Sequence, residues 1–225
     1  MNGQSENCKL SWSTNGVPIS DQFDDPYFSF SDGLAETRHV FLGGCDLPAR
    51  FSEGFTVAEL GFGTGLNLLA TWAAWEAAGF KTALNFVSFE AFPMDLGDME
   101  TALRHWPELD RYAKKLLKQL KVTPDSAKFE TLSLKLIIGD ARKTLPSSNE
   151  MAHAWFLDGF SPAKNPELWE EKLLAEVAAH TCPNGIAATY SAAGHVRQKL
   201  SNAGFEVSRI PGFGRKRHMT RAVRL

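Results

Sequence analysis

Phe55-Thr56-Val57-Ala58-Glu59-Leu60-Gly61-Phe62-Gly63-Thr64-Gly65-Leu66-Asn67 leads into Leu68-Leu69-Ala70-Thr71-Trp72, and the run reads as a strand, a glycine turn and a helix. Gly61, Gly63 and Gly65 open backbone conformations closed to other residues and remove side chains that would hold a ligand off. The helix start adds unpaired N–H groups, and Glu59 at the strand end is placed to accept from a polar or cationic group. A dinucleotide fingerprint, G-x-G-x-x-G, has its third glycine one residue later, where Leu66 stands here. An acid before the glycines favours a positively charged ligand; S-adenosylmethionine, with its ammonium and sulfonium, fits better than a pyrophosphate.

Downstream of this unit, strands and helices alternate, which predicts a largely parallel sheet. Leu84-Asn85-Phe86-Val87-Ser88-Phe89-Glu90 is the second strand, and Pro107 divides the charged region from about Asp95 to Leu120 into two helices. Strands are also expected from Leu132 to Asp140, Ala152 to Asp158, Gly185 to Tyr190, Phe205 to Ile210 and Ala222 to Leu225. Asn165 is expected to cap a helix that starts at Pro166 and buries Trp169, Leu173 and Val177. Another helix places Val196, Leu200 and Ala203 on one side and ends at Gly204. Upstream, residues 1–50 hold aromatic clusters at Tyr27-Phe28-Ser29-Phe30 and His39-Val40-Phe41-Leu42, more than a disordered tail carries. They predict an ordered extension packed on the core, with a capped short helix at Ser31–Glu36 and a tight loop at Leu42–Pro48. One domain over residues 1–225 is the expectation.

Of 225 residues, 44% are hydrophobic and 22% charged, enough for a full core. A net charge of −2 makes the whole molecule no magnet for nucleic acid, so any such binding must be local. After Glu206 no acid occurs, while Arg209, Arg215, Lys216, Arg217, Arg221 and Arg224 crowd the last stretch. Cys8, Cys45 and Cys182 have neither C-x-x-C nor zinc-ligand spacing, and free thiols in a reducing cytoplasm are expected, with no metal. No signal peptide opens the chain and no apolar run approaches the roughly 20 residues that span a bilayer, so no membrane association is expected.

Ligands of an open α/β sheet bind beyond the carboxyl ends of its strands. Four strands here end in an acid: Glu59, Glu90, Asp140 and Asp158. Glu90 is the candidate for accepting from ribose hydroxyls. Asp140 either accepts from an adenine amine or caps the following helix. Asp158, within Asp158-Gly159-Phe160-Ser161-Pro162, is the candidate for chemistry: beside a bound methyl donor it would take the surplus proton of an amine, or else it only ties down its loop. Phe160, Tyr190 and Phe213 with Arg215, Lys216 and Arg217 would suit an unstacked base and its phosphates, or the charges form a solvated turn.

Five segments carry a family resemblance: Asp32-Gly33-Leu34-Ala35-Glu36-Thr37-Arg38, Phe41–Pro48, Glu59–Asn67, Phe156–Pro166 and Gly212-Phe213-Gly214-Arg215-Lys216-Arg217. The chain resembles the methyltransferase half of the MnmC tRNA-modifying enzymes and their free-standing relatives. That resemblance implies a Rossmann-like class I methyltransferase fold of seven strands, mostly parallel with the last antiparallel, and S-adenosylmethionine as donor. It implies methylation of 5-aminomethyl-2-thiouridine at the tRNA wobble position, to 5-methylaminomethyl-2-thiouridine. The implied donor-binding residues are Glu59, Gly61, Gly63, Gly65, Asn67, Glu90 and Asp140, with Asp158 at the transfer site. Bifunctional relatives continue into a flavin-dependent oxidoreductase; this chain shows no second glycine fingerprint, so no FAD is expected in it, and another protein would supply the free aminomethyl group. Three other readings stay open: a small-molecule amine methyltransferase, a non-catalytic tRNA-binding partner and a nicotinamide-dependent oxidoreductase.

Overall fold

The computed structural model describes residues 8–225. Three short strands, β1 (Leu10–Trp12), β2 (Pro18–Ser20) and β3 (Asp25–Pro26), form a small antiparallel sheet. Helix α1 (Gly33–Thr37) follows, with the Asp32 carboxylate accepting from the Ala35 N–H at 2.9 Å. It runs straight into a wide π-helical turn, Arg38–Gly43, which takes in the first two residues of the expected tight loop; the rest of that loop, from Gly44 through Pro48, is turn. The wider turn brings Val40, Phe41 and Leu42 into the core consecutively. These side chains share a buried cluster with Val57 and Leu68, so the extension is built into the core.

The chain then gives β4 (Thr56–Leu60), α2 (Leu66–Ala77), β5 (Leu84–Glu90), α3 (Leu96–Leu103), α4 (Asp110–Leu120), β6 (Ser126–Lys128) and β7 (Leu132–Ile138). After these come α5 (Ala141–Thr144), β8 (Ala152–Leu157), α6 (Glu171–Ala179), β9 (Thr181–Thr189), α7 (Gly194–Asn202), β10 (Phe205–Pro211) and β11 (His218–Arg224). The large sheet has the order β10-β11-β9-β8-β4-β5-β7-β6. The pairs β9–β8, β8–β4, β4–β5 and β5–β7 are parallel, and β11 lies antiparallel between β9 and β10. This is the Rossmann-like arrangement that the resemblance implies, with an eighth strand, β6, antiparallel at one edge. Its three residues carry too short an apolar pattern to be read from sequence.

Alternate residues of the parallel strands feed two cores. Val57, Phe86 and Phe156 pack under α2, α3, α4 and the extension, while Ala58, Val87, Trp155 and Leu157 pack against α5, α6 and α7. Covered on both faces, β4 is buried along its whole length. Trp72 and Trp75 are core residues; their indole N–H groups donate to Thr131 Oγ1 and the Thr82 carbonyl, both at 2.8 Å.

Three boundaries differ from expectation. The helix after Pro166 is broken: Pro166–Trp169 is a single 3-10 turn, Glu170 is extended at ψ 147°, and α6 begins at Glu171. Asn165 makes no side-chain cap there; Trp169 is instead anchored by its N–H on the Phe160 carbonyl at 2.9 Å. Strand β9 begins at Thr181 rather than Gly185, with a register shift opposite Ala152 and Ala154. Strand β11 starts at His218 rather than Ala222 because it pairs on both sides, His218 facing Pro211 in β10 and Thr220 facing Thr189 in β9. Arg215, Lys216 and Arg217 are thereby confined to the β10–β11 turn, while Arg209, Arg221 and Arg224 lie in the strands.

Candidate active site

From β4 the chain goes out through β5 to β7, then returns through β8 on the other side of β4. That reversal leaves a crevice beyond the ends of β4 and β8, the place where such sheets bind ligands. A cavity of about 600 Å³ occupies it, inside the roughly 300–1,000 Å³ of small-molecule sites.

The glycine turn forms one wall. Gly61, Gly63 and Gly65 have φ of 92°, 51° and 79°, where other residues are strained. Gly61 is also pressed against β8, since a Cβ on it would stand 2.6 Å from the Asp158 carbonyl oxygen. Gly61 and Gly63 line the cavity, whereas Gly65 starts α2 and faces Phe62 and Leu116.

Of the four acids at strand ends, Glu90, Asp140 and Asp158 line the cavity and Glu59 does not. Glu59 is fully buried: Ser88 Oγ donates to its Oε2 at 2.7 Å and Asn67 Nδ2 to its Oε1 at 2.9 Å. Burial pushes its carboxyl well above the usual range, opposed by those two hydrogen bonds. Glu59 thus faces Asn67 instead of the cavity, while Asn67 itself lines the cavity and its Nδ2 also donates to Asp158 Oδ2 at 2.6 Å. Burial raises the Asp158 carboxyl to about 7, with the nearby Glu36 charge adding and the Asn67 bond and Lys216 opposing.

Glu90 accepts from the Gly63 N–H at 3.0 Å and the Phe92 N–H at 2.8 Å, one on each oxygen, which leaves each oxygen a lone pair for a hydroxyl. Asp140 caps α5 through the Arg142 N–H at 2.9 Å, and the Arg142 guanidinium bonds both its oxygens while reaching Glu170 at 3.0 Å. The Arg142 side chain holds the Asp140 carboxyl below its usual range. Asp140 thus takes the helix-cap role, at a position that borders the cavity.

The opposite wall joins Phe160, Tyr190 and Lys216. Tyr190 donates its O–H to the Gly159 carbonyl at 2.7 Å, and burial keeps that phenol protonated far above neutral pH. Lys216 Nζ lies 4.3 Å from the Tyr190 ring centroid and 2.8 Å from Glu36 Oε1. Phe213, Arg215 and Arg217 do not line the cavity; they occupy the adjoining turn, with the Phe213 ring 6.0 Å from His39.

Sequence reasoning missed the contribution of the extension. Phe23 stacks on Phe160 at 4.8 Å, Tyr27 meets the same ring edge-on at 5.1 Å, and Asp25 accepts from the Ser161 N–H at 2.8 Å. Lys164 pairs with Asp24 at 2.9 Å, holding β3 onto the loop that follows β8. Glu36 and Thr37 line the cavity beside Asp158. The aromatic cluster at Tyr27 was the one signal, and nothing local said which loop, some 130 positions away, it would close upon. No group of His, Cys, Asp and Glu that could hold a metal ion occurs among the described residues, nor does a helix long and apolar enough to cross a membrane.

Residues 107–225 match a family model described as S-adenosyl-L-methionine-dependent methyltransferase. The tRNA 5-methylaminomethyl-2-thiouridine biosynthesis bifunctional protein MnmC of Stutzerimonas stutzeri is 43% identical over 96% of this chain and 34% of that protein. The protein of the same name from Chromobacterium violaceum is 44% identical over 95% of this chain and 34% of its own. The chain thus spans about a third of the length of these relatives. Among solved structures, MNMC2 from Aquifex aeolicus superposes with a TM-score of 0.76 at 27% identity, covering 98% of this chain and 72% of that one.

Proposed function

This chain belongs to the S-adenosyl-L-methionine-dependent methyltransferases, and from that premise we propose that it N-methylates 5-aminomethyl(-2-thio)uridine at the tRNA wobble position. The observation that carries the reading is the Asp158 carboxyl, raised to about 7 and bordering the cavity at the sheet's reversal point. An alkylamine with the pKa of lysine, roughly 10, is almost wholly ammonium at pH 7, and freeing its lone pair costs about 4 kcal/mol. A carboxylate with a proton affinity raised toward that of the amine is a better acceptor for this proton than an ordinary aspartate. The donor, when bound, supplies a methyl carbon made electrophilic by the adjoining sulfonium, so that C–N bond formation leaves a neutral thioether. Asp158 would hold the acceptor nitrogen neutral and oriented for that attack, and Tyr190 and Phe160 would flank its base.

The cavity fits such a donor. Gly61 and Gly63 present backbone without Cβ atoms, Glu90 would accept from the ribose hydroxyls, and Asp140 with Arg142 would border the adenine. Glu90→Ala is expected to weaken S-adenosylmethionine binding about ten- to a hundredfold in a calorimetric titration, since hydrogen bonds to a charged group contribute about 1.5–3 kcal/mol. Unchanged binding would remove Glu90 from the donor site.

For tRNA, support comes from the MnmC relatives and from the turn that carries Arg215, Lys216 and Arg217 beside the cavity mouth. The reading places the protein in the cytoplasm, where tRNA and its three unpaired cysteines would both be at home. The test is methyl transfer from labelled donor to tRNA bearing 5-aminomethyluridine at the wobble position, against the same tRNA with plain uridine. Transfer is expected to the first alone. Neutralising Arg215, Lys216 and Arg217 together should raise KM for tRNA at least about tenfold and flatten its salt dependence, with donor affinity unchanged. Transfer to a small amine that ignores the triple change, with none to the tRNA, would overturn the assignment.

A further inference from the structure

Asn67 joins two carboxylates through one side-chain amide. Its Nδ2 donates to Glu59 Oε1 at 2.9 Å and to Asp158 Oδ2 at 2.6 Å, and its Oδ1 accepts from the Thr37 hydroxyl at 2.8 Å. Ser88 closes the far end on Glu59 Oε2 at 2.7 Å. Thr37, Asn67, Glu59 and Ser88 are all buried, at 4%, 5%, 0% and 0% exposure. An asparagine amide has two N–H donors and one carbonyl acceptor, and every one of them is used here.

The chemistry admits one orientation. Turning the amide over would set its carbonyl oxygen against two carboxylates and leave Thr37 facing an NH₂ group. The Thr37 hydroxyl, donating to Oδ1, holds the donors toward the acids. At the other end the chain terminates: Oδ2 of Asp158 is held, and among the described residues no protein group donates to its Oδ1. One oxygen of the residue that borders the cavity is thus pinned while the other keeps its lone pairs. Thr37 comes from α1 of the extension, Asn67 from the first turn of α2, Glu59 from β4 and Ser88 from β5, so four elements contribute to one hydrogen-bonded chain that reaches Asp158 through Asn67.

From this geometry we infer that Thr37, Asn67 and Glu59 form a positioning relay that orients the Asp158 carboxylate for proton acceptance. Asn67 and Glu59 act through Asp158 and do not hold the donor. The inference rests on the reading of Asp158 as the proton acceptor. It assigns the extension a part in the reaction: the Thr37 hydroxyl adds a third restraint on the amide, beyond those of the two acids.

The experiment measures single-turnover methyl transfer to the aminomethyl tRNA from pH 5.5 to 9, with the donor Kd measured separately, for the native chain and four variants. Asn67→Ala removes the one donor to Oδ2; its rate should fall about ten- to a hundredfold and the acid-side midpoint of the pH profile should rise, because a lost donor favours the protonated acid. Donor Kd should stay within about twofold. Thr37→Val is isosteric and guards against a folding defect in the first variant; it should shift the midpoint the same way with a smaller loss, about three- to tenfold. Glu59→Gln keeps a carbonyl acceptor for Asn67 and can donate to Ser88 Oγ, so it should retain most of the rate, whereas Glu59→Leu should resemble Asn67→Ala. A raised donor Kd with an unmoved midpoint in Asn67→Ala and Thr37→Val would overturn the relay and make Asn67 a donor ligand. A native rate in Asp158→Asn would remove the base, and the relay with it; loss in Asp158→Asn with native profiles in the relay variants would remove the relay alone.

Discussion

Asp158→Asn is expected to lose methyl transfer by at least about a hundredfold, to keep its donor affinity and to become more stable than the native chain at pH 8. The substitution retains an acceptor for Asn67 Nδ2 and removes only the basic oxygen. In the native chain the rate should rise with pH through about 7, as Asp158 ionises; in the variant that limb should be absent. The stability effect has a definite sign. Asp158 titrates near 7 when folded and near 3.8 in an unfolded chain, so between these values the folded state binds the proton more tightly. Above pH 7 the folded chain carries the full cost of an ionised carboxylate in this site, and below about pH 4 it carries none. A displacement of about three pKa units corresponds to at most about 4 kcal/mol. The variant's gain in thermal midpoint should therefore be largest at pH 8 and shrink toward zero as pH falls from 7 to 4. Glu59 is also displaced upward, in part by the Asp158 charge, so the variant relieves that part of its displacement as well. A variant that is inactive but no more stable at pH 8 would mean that the carboxyl is not strained in the folded state. A fully active variant would end its role as base.

Gly61→Ala is expected to destabilise the fold strongly and to abolish most of the transfer activity. Two costs combine. The residue has φ of 92°, where a Cβ is disfavoured, and that Cβ would stand 2.6 Å from the Asp158 carbonyl oxygen. Gly79 provides the control, since its φ of 90° is nearly the same and a Cβ there meets nothing within 4 Å. Gly79→Ala should cost about 1–3 kcal/mol, the strain of the backbone alone. Gly61→Ala should cost more than that, because backbone at the end of β8 cannot swing aside as a flexible side chain can. It should also cut transfer by at least about a hundredfold, since displacing Asp158 by an ångström misplaces the group that receives the proton. Denaturant midpoints for the two variants, with transfer rates alongside, make the comparison. Equal stability losses, with transfer intact in both, would show that contact between the glycine turn and β8 is not needed.

Both results depend on the same few residues, and these differ in how far the sequence alone reveals them. The alternation of apolar runs with amphipathic helices, the glycines after β4 and the acids at successive strand ends are local patterns with a local cause, strand and helix periodicity, and so they were legible. They determined the class of the sheet and located the cavity at the ends of its strands. The basic cluster was also legible as a charge run, but the pairing of β11 on both sides decided that Lys216 alone of its three cations would reach the cavity. Glu59 and Asp158 look alike in sequence, each an acid at the carboxyl end of a buried strand or just beyond it. Tertiary structure separated them: β5 and α2 cover Glu59 and supply Ser88 and Asn67 to it, while the loop after β8 leaves Asp158 bordering open space. The wall built by Phe23, Asp25 and Tyr27, and the Thr37 hydroxyl on Asn67, arise from contacts between residues 30 to 137 positions apart. Contacts at that separation are selected by how the two cores pack on the finished sheet, a property that no window of the chain carries by itself.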